Sequence, residues 1–181
     1  MYFLTIYFNS IKNINDSAFF IAMPYIAIID FSGGRGGKIY GMIVAREDSL
    51  RIIGSYARVF PHFSDLRRMR KARLLDLFPR RLSRVERHIE LLYTTRDLAS
   101  VIQRIRSLSS VKLMVVDGKL LDKVRREFPG MRVMPENKGR LSRRKGLLTL
   151  ANILDIALNV HRLRHPMKRE VEWVRRTNKY T

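Results

Sequence analysis

The chain has 181 residues and a formal net charge of +20, from 36 Lys and Arg against 16 Asp and Glu. Because 46% of its residues are apolar, it can bury a core of its own, which excludes a disordered polybasic tail. So large a charge repels itself in a compact chain and is typical of proteins that bind a polyanion. We expect nucleic acid as this partner rather than an anionic membrane surface.

The chain contains no cysteine, which excludes disulfides, thiolate zinc sites and cysteine nucleophiles. Glutamine occurs once, at Gln103. Scarce Cys and Gln beside abundant Arg is a composition found in thermophile proteins. We therefore expect a cytoplasmic protein from a hot environment.

The first 22 residues differ in composition from the rest, because they hold one Lys, one Asp and no Arg. They lack the basic start and cleavage site of a secretory signal, and the apolar run at residues 18–29 is too short to span a bilayer. Since Met23 directly precedes a good strand, we expect residues 1–22 to be a non-native or dispensable extension. An extra edge strand at residues 3–8 is the alternative.

Three strands are predicted in the first part of the chain. Residues 25–31 (YIAIIDF) are a nearly continuous apolar run, typical of a strand buried on both faces. The glycine-rich residues 32–38 lack the spacing of a phosphate-binding loop, so we expect a hairpin turn into a second strand at 39–46. A short turn then leads to a third strand at 50–60, which completes an antiparallel meander.

Helical patterns dominate the middle of the chain. Ser64 can cap a short basic helix that stops near Pro79. Ser83 and Glu86 match a capping box, which predicts a longer helix ending near Ser107.

The remaining pattern alternates strands with helices. It predicts a strand at 111–116, a helix at 119–128, a short strand at 131–134 and a final helix at 142–164. The fold class is thus α/β, with a mixed five-stranded sheet in which the meander is followed by two parallel strands, flanked by helices. This domain would cover residues 23–165, with a basic helical insert at about 61–82 and a basic tail at 166–181.

Three acids occur in apolar surroundings. Asp30 ends the first buried strand, Asp117 ends the fourth, and Asp155 lies in the apolar segment of the last helix. Polar residues spaced by three or four form one stripe on that helix: Thr149, Asn152, Asp155, Asn159 and Arg162.

Adjacent strands lie about 4.8 Å apart, so Asp30 and Asp117 could share an ion if their strands are neighbours. Asp155 could approach from the last helix and Glu90 from the long helix before it. Converging carboxylates suit Mg²⁺ or Mn²⁺, and a pair of such ions can cleave phosphodiesters. Each acid also has a structural alternative: Asp30 and Asp117 can cap turns, and Asp155 can hydrogen-bond within its polar stripe.

Four segments together resemble the ribonuclease H-like superfamily, and the resemblance spans residues 24–164. It implies a metal-dependent nuclease whose Mg²⁺ or Mn²⁺ ions are held by acids from the first strand, the first long helix, the fourth strand and the last helix. The segments are YIAIIDF with Asp30, RHIELLYTTRDLASVIQRI with Glu90, KLMVVDGKLLDKV with Asp117 and LANILDIAL with Asp155.

The subfamily and the fourth ligand stay open. Glu86 or Glu136 could take the place of Glu90. The resemblance leaves open a hybrid-specific ribonuclease, a junction resolvase, a repair nuclease of the endonuclease V or NurA type, and a transposase-like core. The substrate could accordingly be DNA, RNA or a hybrid of the two.

Two basic clusters are candidates for contacts with backbone phosphates. They comprise Arg67, Arg68, Arg70 and Lys71 in the insert, and Lys138, Arg140, Arg143, Arg144 and Lys145 before the last helix. The four histidines lack metal-ligand spacing, and we expect them at the surface. A non-catalytic nucleic-acid-binding protein, or a basic structural subunit of a nucleoprotein complex, is the alternative function.

Overall fold

The computed structural model describes residues 24–34, 37–108, 110–136, 141 and 144–176. Within these ranges the chain is a mixed α/β structure, with one six-stranded sheet flanked by helices. The strands are β1 (Tyr25–Gly34), β2 (Gly37–Arg46), β3 (Leu91–Thr95), β4 (Val111–Val116), β5 (Val133–Pro135) and β6 (Glu170–Arg175). The helices are α1 (Leu50–Ser55), α2 (Arg68–Leu82), α3 (Leu98–Arg106), α4 (Leu121–Glu127) and α5 (Lys145–Arg164). The expected extension at residues 1–22 lies outside the described ranges.

The sheet has the strand order β5-β4-β1-β2-β3-β6. Strands β1, β2 and β3 form the expected antiparallel meander, while β4 and β5 run parallel to β1. Strand β6 adds to β3 in antiparallel orientation, so the sheet has six strands and not the expected five. The first and fourth strands are neighbours and run parallel, so the residue that follows β4 lies beside the middle of β1.

The third strand of the meander is not where the sequence predicts it. The predicted strand at residues 50–60 begins as the short helix α1, which packs against the start of α5. The two helices approach so closely that a Cβ atom at Gly146 would lie 2.2 Å from the Leu50 carbonyl oxygen. This helix packing, between segments distant in sequence, decides the conformation of residues 50–55.

The predicted long helix at 83–107 is also wrong. Only a single helical turn forms at Glu86–His88, and then the fully buried strand β3 follows. Helix α3 begins afterwards because the Asp97 carboxylate caps it, accepting a hydrogen bond of 3.0 Å from the Ala99 N–H group. The apolar residues of β3 have the spacing expected of a helical stripe, which explains the wrong prediction. The N-cap at Asp97 is the local signal that a new helix begins only after β3.

Part of the expected tail, residues 166–181, forms β6. Its side chains alternate in burial, and Trp173 packs edge-on against Phe78 at 5.4 Å between ring centroids. The Trp173 indole N–H group donates to Thr94 Oγ1 at 3.1 Å, which ties the strand to β3. Polar and apolar residues alternate in EVEWVR, which is a pattern typical of a strand. The many charged residues around it make the segment look like a solvent-exposed tail.

Two cores form, one on each face of the sheet. Helices α1, α2 and α5 cover one face, and α3 and α4 cover the other. Helix α5 is buried along most of its length and packs against β1 and β2. A polar side chain on the side of α5 that faces the sheet therefore lies next to these two central strands. None of the helices in the described ranges combines the length and apolar character needed to cross a membrane.

Candidate active site

Three carboxylates lie in one row just beyond the parallel ladders that join β1, β4 and β5. Asp30 does not end β1 as expected, because the strand continues to Gly34 in its pairing with β2. Ile29 pairs with Val116, and Val116 pairs with Pro135, so the residues that follow them are also aligned across the sheet. Those residues are Asp30, Asp117 and Glu136, and each offers a carboxylate oxygen within 4.8 Å of the others. The row exists because β1 and β5 both run parallel to β4, so the positions just beyond the two parallel ladders lie side by side.

Backbone hydrogen bonds extend the ladders into this row. The Asp117 N–H group donates to the Ile29 carbonyl at 3.0 Å, and the Glu136 N–H group donates to the Val116 carbonyl at 2.7 Å. The Asp117 carboxylate also accepts a 2.8 Å bond from the Lys119 N–H group, which orients it at the turn before α4. The acids are therefore positioned by sheet geometry rather than by flexible loops.

A fourth acid, Asp155, reaches the same cavity from α5. It is the middle member of the predicted polar stripe, and its neighbours hold it. Asn159 donates to the Asp155 carboxylate at 2.9 Å, and Arg162 donates to the Asn159 amide oxygen at 2.8 Å. Asn152, on the same stripe, does not hold Asp155 in this way. Its amide donates a hydrogen bond to the Phe60 carbonyl and so fixes the segment before α2.

The acids form one wall of an open cavity of about 480 Å³, which we call the acidic pocket. Its other walls carry His62, Ser64 and Lys71, together with the polar side of α5. The Lys71 ammonium lies 5.3 Å from the centroid of the Phe63 ring. His62 Nδ1 is 2.6 Å from Ser64 Oγ. The pocket thus combines a negative floor with a cation at its rim.

Burial, together with the neighbouring carboxylates, makes the charged form of Asp30 unfavourable. Burial, followed by the negative charge of Glu136 and those of Asp155 and Asp117, raises the pKa of Asp30 to about 7. The Phe31 N–H group, 2.7 Å from the Asp30 carboxylate, opposes this rise only in part. Carboxylates crowded in this way favour a divalent cation, and their hard oxygen donors suit Mg²⁺ or Mn²⁺.

The structure does not bring Glu90 into the acidic pocket. Glu90 precedes β3, and its N–H group donates to the Val44 carbonyl at 2.8 Å. In the register of the meander, Thr94 lies level with Asp30, and Glu90 is four residues away, or about 13 Å along the strand. The expectation failed because the helix supposed to carry Glu90 does not exist; Glu136, the alternative in the loop after β5, joins the row instead.

The basic candidates are placed unequally. Lys71 lines the acidic pocket, Arg67 and Arg68 are exposed near the start of α2, and Arg144 and Lys145 are exposed at the start of α5. Three further candidates, Lys138, Arg140 and Arg143, lie outside the described residues.

Two histidines depart from the surface positions expected for them. His62 faces the acidic pocket, and His161 is completely buried. His161 Nδ1 lies 2.8 Å from Thr94 Oγ1, and its Nε2 lies 3.0 Å from the Lys168 carbonyl. His161 therefore links α5 to β3 and to the segment before β6.

Comparison with known proteins gives a distant structural likeness. No protein-family model matches the chain, and neither does any curated protein. Among solved structures, ribonuclease H2 from Pyrococcus horikoshii OT3 is similar at 13% identity, with a TM-score of 0.46 over 78% of this chain and 76% of that one. At this level of similarity, the interpretation of the site depends on the residues themselves.

Proposed function

We propose that this protein is a ribonuclease H-like, metal-dependent nuclease that hydrolyses phosphodiester bonds in DNA or RNA. The observation that carries the proposal is the aligned row of Asp30, Asp117 and Glu136 at the end of a parallel ladder. A structural role explains one such acid but not three whose carboxylate oxygens lie within 4.8 Å of one another in a half-buried cavity. Asp155, on α5, adds a fourth carboxylate to the same cavity.

The residues present fit a divalent cation. Asp30, Asp117 and Glu136 would hold Mg²⁺ or Mn²⁺ between them, with Asp155 available to a second ion. When bound, such ions activate a water molecule and stabilise the charge on the phosphate and the leaving oxygen.

The side chains of the protein supply the positioning. Asn159 keeps the Asp155 carboxylate oriented, and Arg162 in turn orients the Asn159 amide. Lys71, at the rim, supplies a positive charge that favours the approach of a phosphate to a pocket whose floor is negative. The strongly basic composition provides the wider attraction for the nucleic acid backbone.

The decisive experiment compares cleavage by wild type, Asp117→Asn and Glu136→Gln. Labelled single-stranded, duplex, hybrid and branched substrates are incubated with Mg²⁺, with Mn²⁺ or with EDTA. We expect cleavage only with a divalent ion, and a loss of at least about 10³-fold in each variant, because each removes a ligand of the ion.

The matched control is Asp122→Asn, which removes an exposed carboxylate on α4, on the other face of the sheet. It should cleave like wild type. Cleavage that survives Asp117→Asn would overturn the proposed site. Binding without cleavage on every substrate and with every ion would favour a non-catalytic nucleic-acid-binding protein.

A further inference from the structure

A second cavity, of about 380 Å³, lies beside the acidic pocket against α2. Its apolar surface comes from Pro61, Leu66 and Leu74, and four guanidinium groups surround it. We call it the arginine pocket. The guanidinium groups belong to Arg58, Arg70, Arg73 and Arg81.

No carboxylate of the described residues lines the arginine pocket, and none there forms an ion pair with its four arginines. The acids nearest in sequence are engaged elsewhere. Asp76 pairs with Arg164 at 2.5 Å, and Asp65 lies 3.5 Å from His62. Four positive charges thus share a concave surface without a counter-charge from the part of the chain that is described.

One of the four guanidinium groups is held in place. Arg81 donates a hydrogen bond of 2.7 Å to the Val59 carbonyl, which ties the end of α2 to the segment after α1. Burial lowers the pKa of Arg81, and so do the positive charges of Arg84 and Arg73. An anion bound beside these charges would be attracted to them, and an anchored guanidinium loses less freedom when it binds one.

The arginine pocket and the acidic pocket share a wall. Pro61 and Leu66 face the arginine pocket, whereas residues 62–64, which lie between them, face the acidic pocket. Helix α2 divides in the same manner, since Arg70 lines one cavity and its neighbour Lys71 lines the other. The two cavities are therefore neighbours, separated by residues 62–64 and the first turns of α2.

We propose that the arginine pocket binds a backbone phosphate of the same nucleic acid strand whose scissile phosphodiester lies in the acidic pocket. This inference rests on the proposed nuclease function and extends it to a second position on the substrate. Guanidinium groups bind phosphate oxygens through paired hydrogen bonds, and several of them can enclose one phosphate. The concave shape suits a phosphate on a flexible strand better than it suits the flat surface of a membrane.

The first test measures binding without cleavage. Wild type and the double variant Arg58→Ala/Arg73→Ala are titrated in EDTA with a labelled single strand of about 20 nucleotides at several salt concentrations. We expect about tenfold weaker binding by the variant. The slope of log K against log salt should also become shallower, by about 0.7 for each phosphate that the variant no longer neutralises. Arg81 is left intact because it supports the fold.

The matched control is Lys123→Ala/Arg125→Ala, which removes two exposed cations from α4 on the opposite face of the sheet. Its affinity and salt dependence should stay close to wild type. Arg58→Lys/Arg73→Lys keeps both charges but removes the paired hydrogen bonds, so it should fall between wild type and the alanine variant. Thermal melts establish that all variants are folded.

The second test uses substrate length with Mn²⁺ present. On a long single strand the alanine variant should show a raised KM and a kcat within about twofold of wild type, because the arginine pocket contains none of the acids that would hold the ions. A dinucleotide has a single phosphodiester, which must lie in the acidic pocket to be cleaved, so the variant and wild type should cleave it equally.

The outcomes separate the two proposals. Unchanged affinity and salt dependence in the alanine variant would overturn the phosphate site, even if wild type cleaves. Weaker, less salt-dependent binding in a protein that cleaves nothing would retain the phosphate site and overturn the nuclease. If the alanine variant loses the binding of wild type to vesicles of anionic phospholipid but still binds the oligonucleotide as wild type does, the phosphate-backbone proposal is overturned in favour of a membrane surface.

Discussion

The acidic pocket and the arginine pocket both collect like charges, but they are built in different ways. The carboxylates come from three strands and one helix, and strand register holds three of them in a row. The guanidinium groups come from one helix, α2, and the segment after α1, and only Arg81 has a hydrogen bond that anchors it to the main chain within the described residues.

This difference indicates different tasks. Carboxylates at the ends of paired strands keep their spacing, which the binding of a small cation requires. Arginines on a helix surface can follow a flexible polyanion. We therefore expect a single substitution in the acidic pocket to abolish most of the cleavage. Each substitution in the arginine pocket should weaken nucleic acid binding only by a part.

The largest expected effect comes from Asp30→Asn, which should change activity and stability in opposite directions. Cleavage should fall at least about 10³-fold, because the variant lacks a ligand of the ion. In EDTA at pH 8 the variant should be more stable than wild type by on the order of 2 kcal/mol, because a buried charge and its repulsion are removed. Chemical denaturation measures this gain. A destabilised variant would contradict the crowding of charge at Asp30.

Divalent ions should have the next largest effect, by stabilising the wild-type protein. An ion that binds only the folded state at about 100 times its Kd adds about 2.7 kcal/mol, which raises Tm by roughly 5–10 °C. The rise should disappear in Asp117→Asn and persist in the arginine-pocket variant Arg58→Ala/Arg73→Ala. An equal rise in all three proteins would show that the ion binds elsewhere.

A smaller effect is expected from Arg162→Ala, which tests the relay from Arg162 through Asn159 to Asp155. Cleavage should fall about tenfold, with more divalent ion needed for half-maximal activity, since a carboxylate that is less firmly oriented holds the ion less tightly. Arg164→Ala is the control, because Arg164 pairs with Asp76 at the exposed surface. A fall in kcat with no change in ion requirement would indicate that Arg162 contacts the substrate directly.

The smallest effect is a pH dependence of stability caused by His161. Burial lowers the pKa of His161 from its usual value of 6.5, so the unfolded chain binds a proton more readily than the folded one. Stability should therefore fall as the pH drops below 6.5.

Asp30 acts in the opposite sense, because its raised pKa makes the folded state the better proton acceptor between about 3.8 and 7. The His161 effect is best measured in the Asp30→Asn background, where this contribution is absent. His161→Gln in that background should reduce the slope between pH 7.5 and 5.5. Part of the slope should remain, because burial also lowers the pKa of His88. A slope that the substitution leaves unchanged would contradict the assignment to His161.

Much of the acidic pocket could be predicted from local patterns. Asp30 and Asp117 each follow a buried apolar run, and Asp155 lies on a polar stripe of an apolar helix, so all three were visible in the sequence. Glu136 was visible only as an alternative, because β5 is three residues long and gives almost no periodic signal. Glu90 was misplaced because the apolar run of β3 resembles a helical stripe.

The sequence by itself determined that the chain is basic, has a core of its own and carries isolated acids at the ends of buried runs, since charge and burial follow from composition and local periodicity. The tertiary structure alone decided which acids meet and where the arginines converge. Register aligned Asp117 with Glu136 across separate strands, and the packing of α1 against α5 turned a predicted strand into a helix. Such interactions depend on residues far apart in the chain, which local patterns do not reveal.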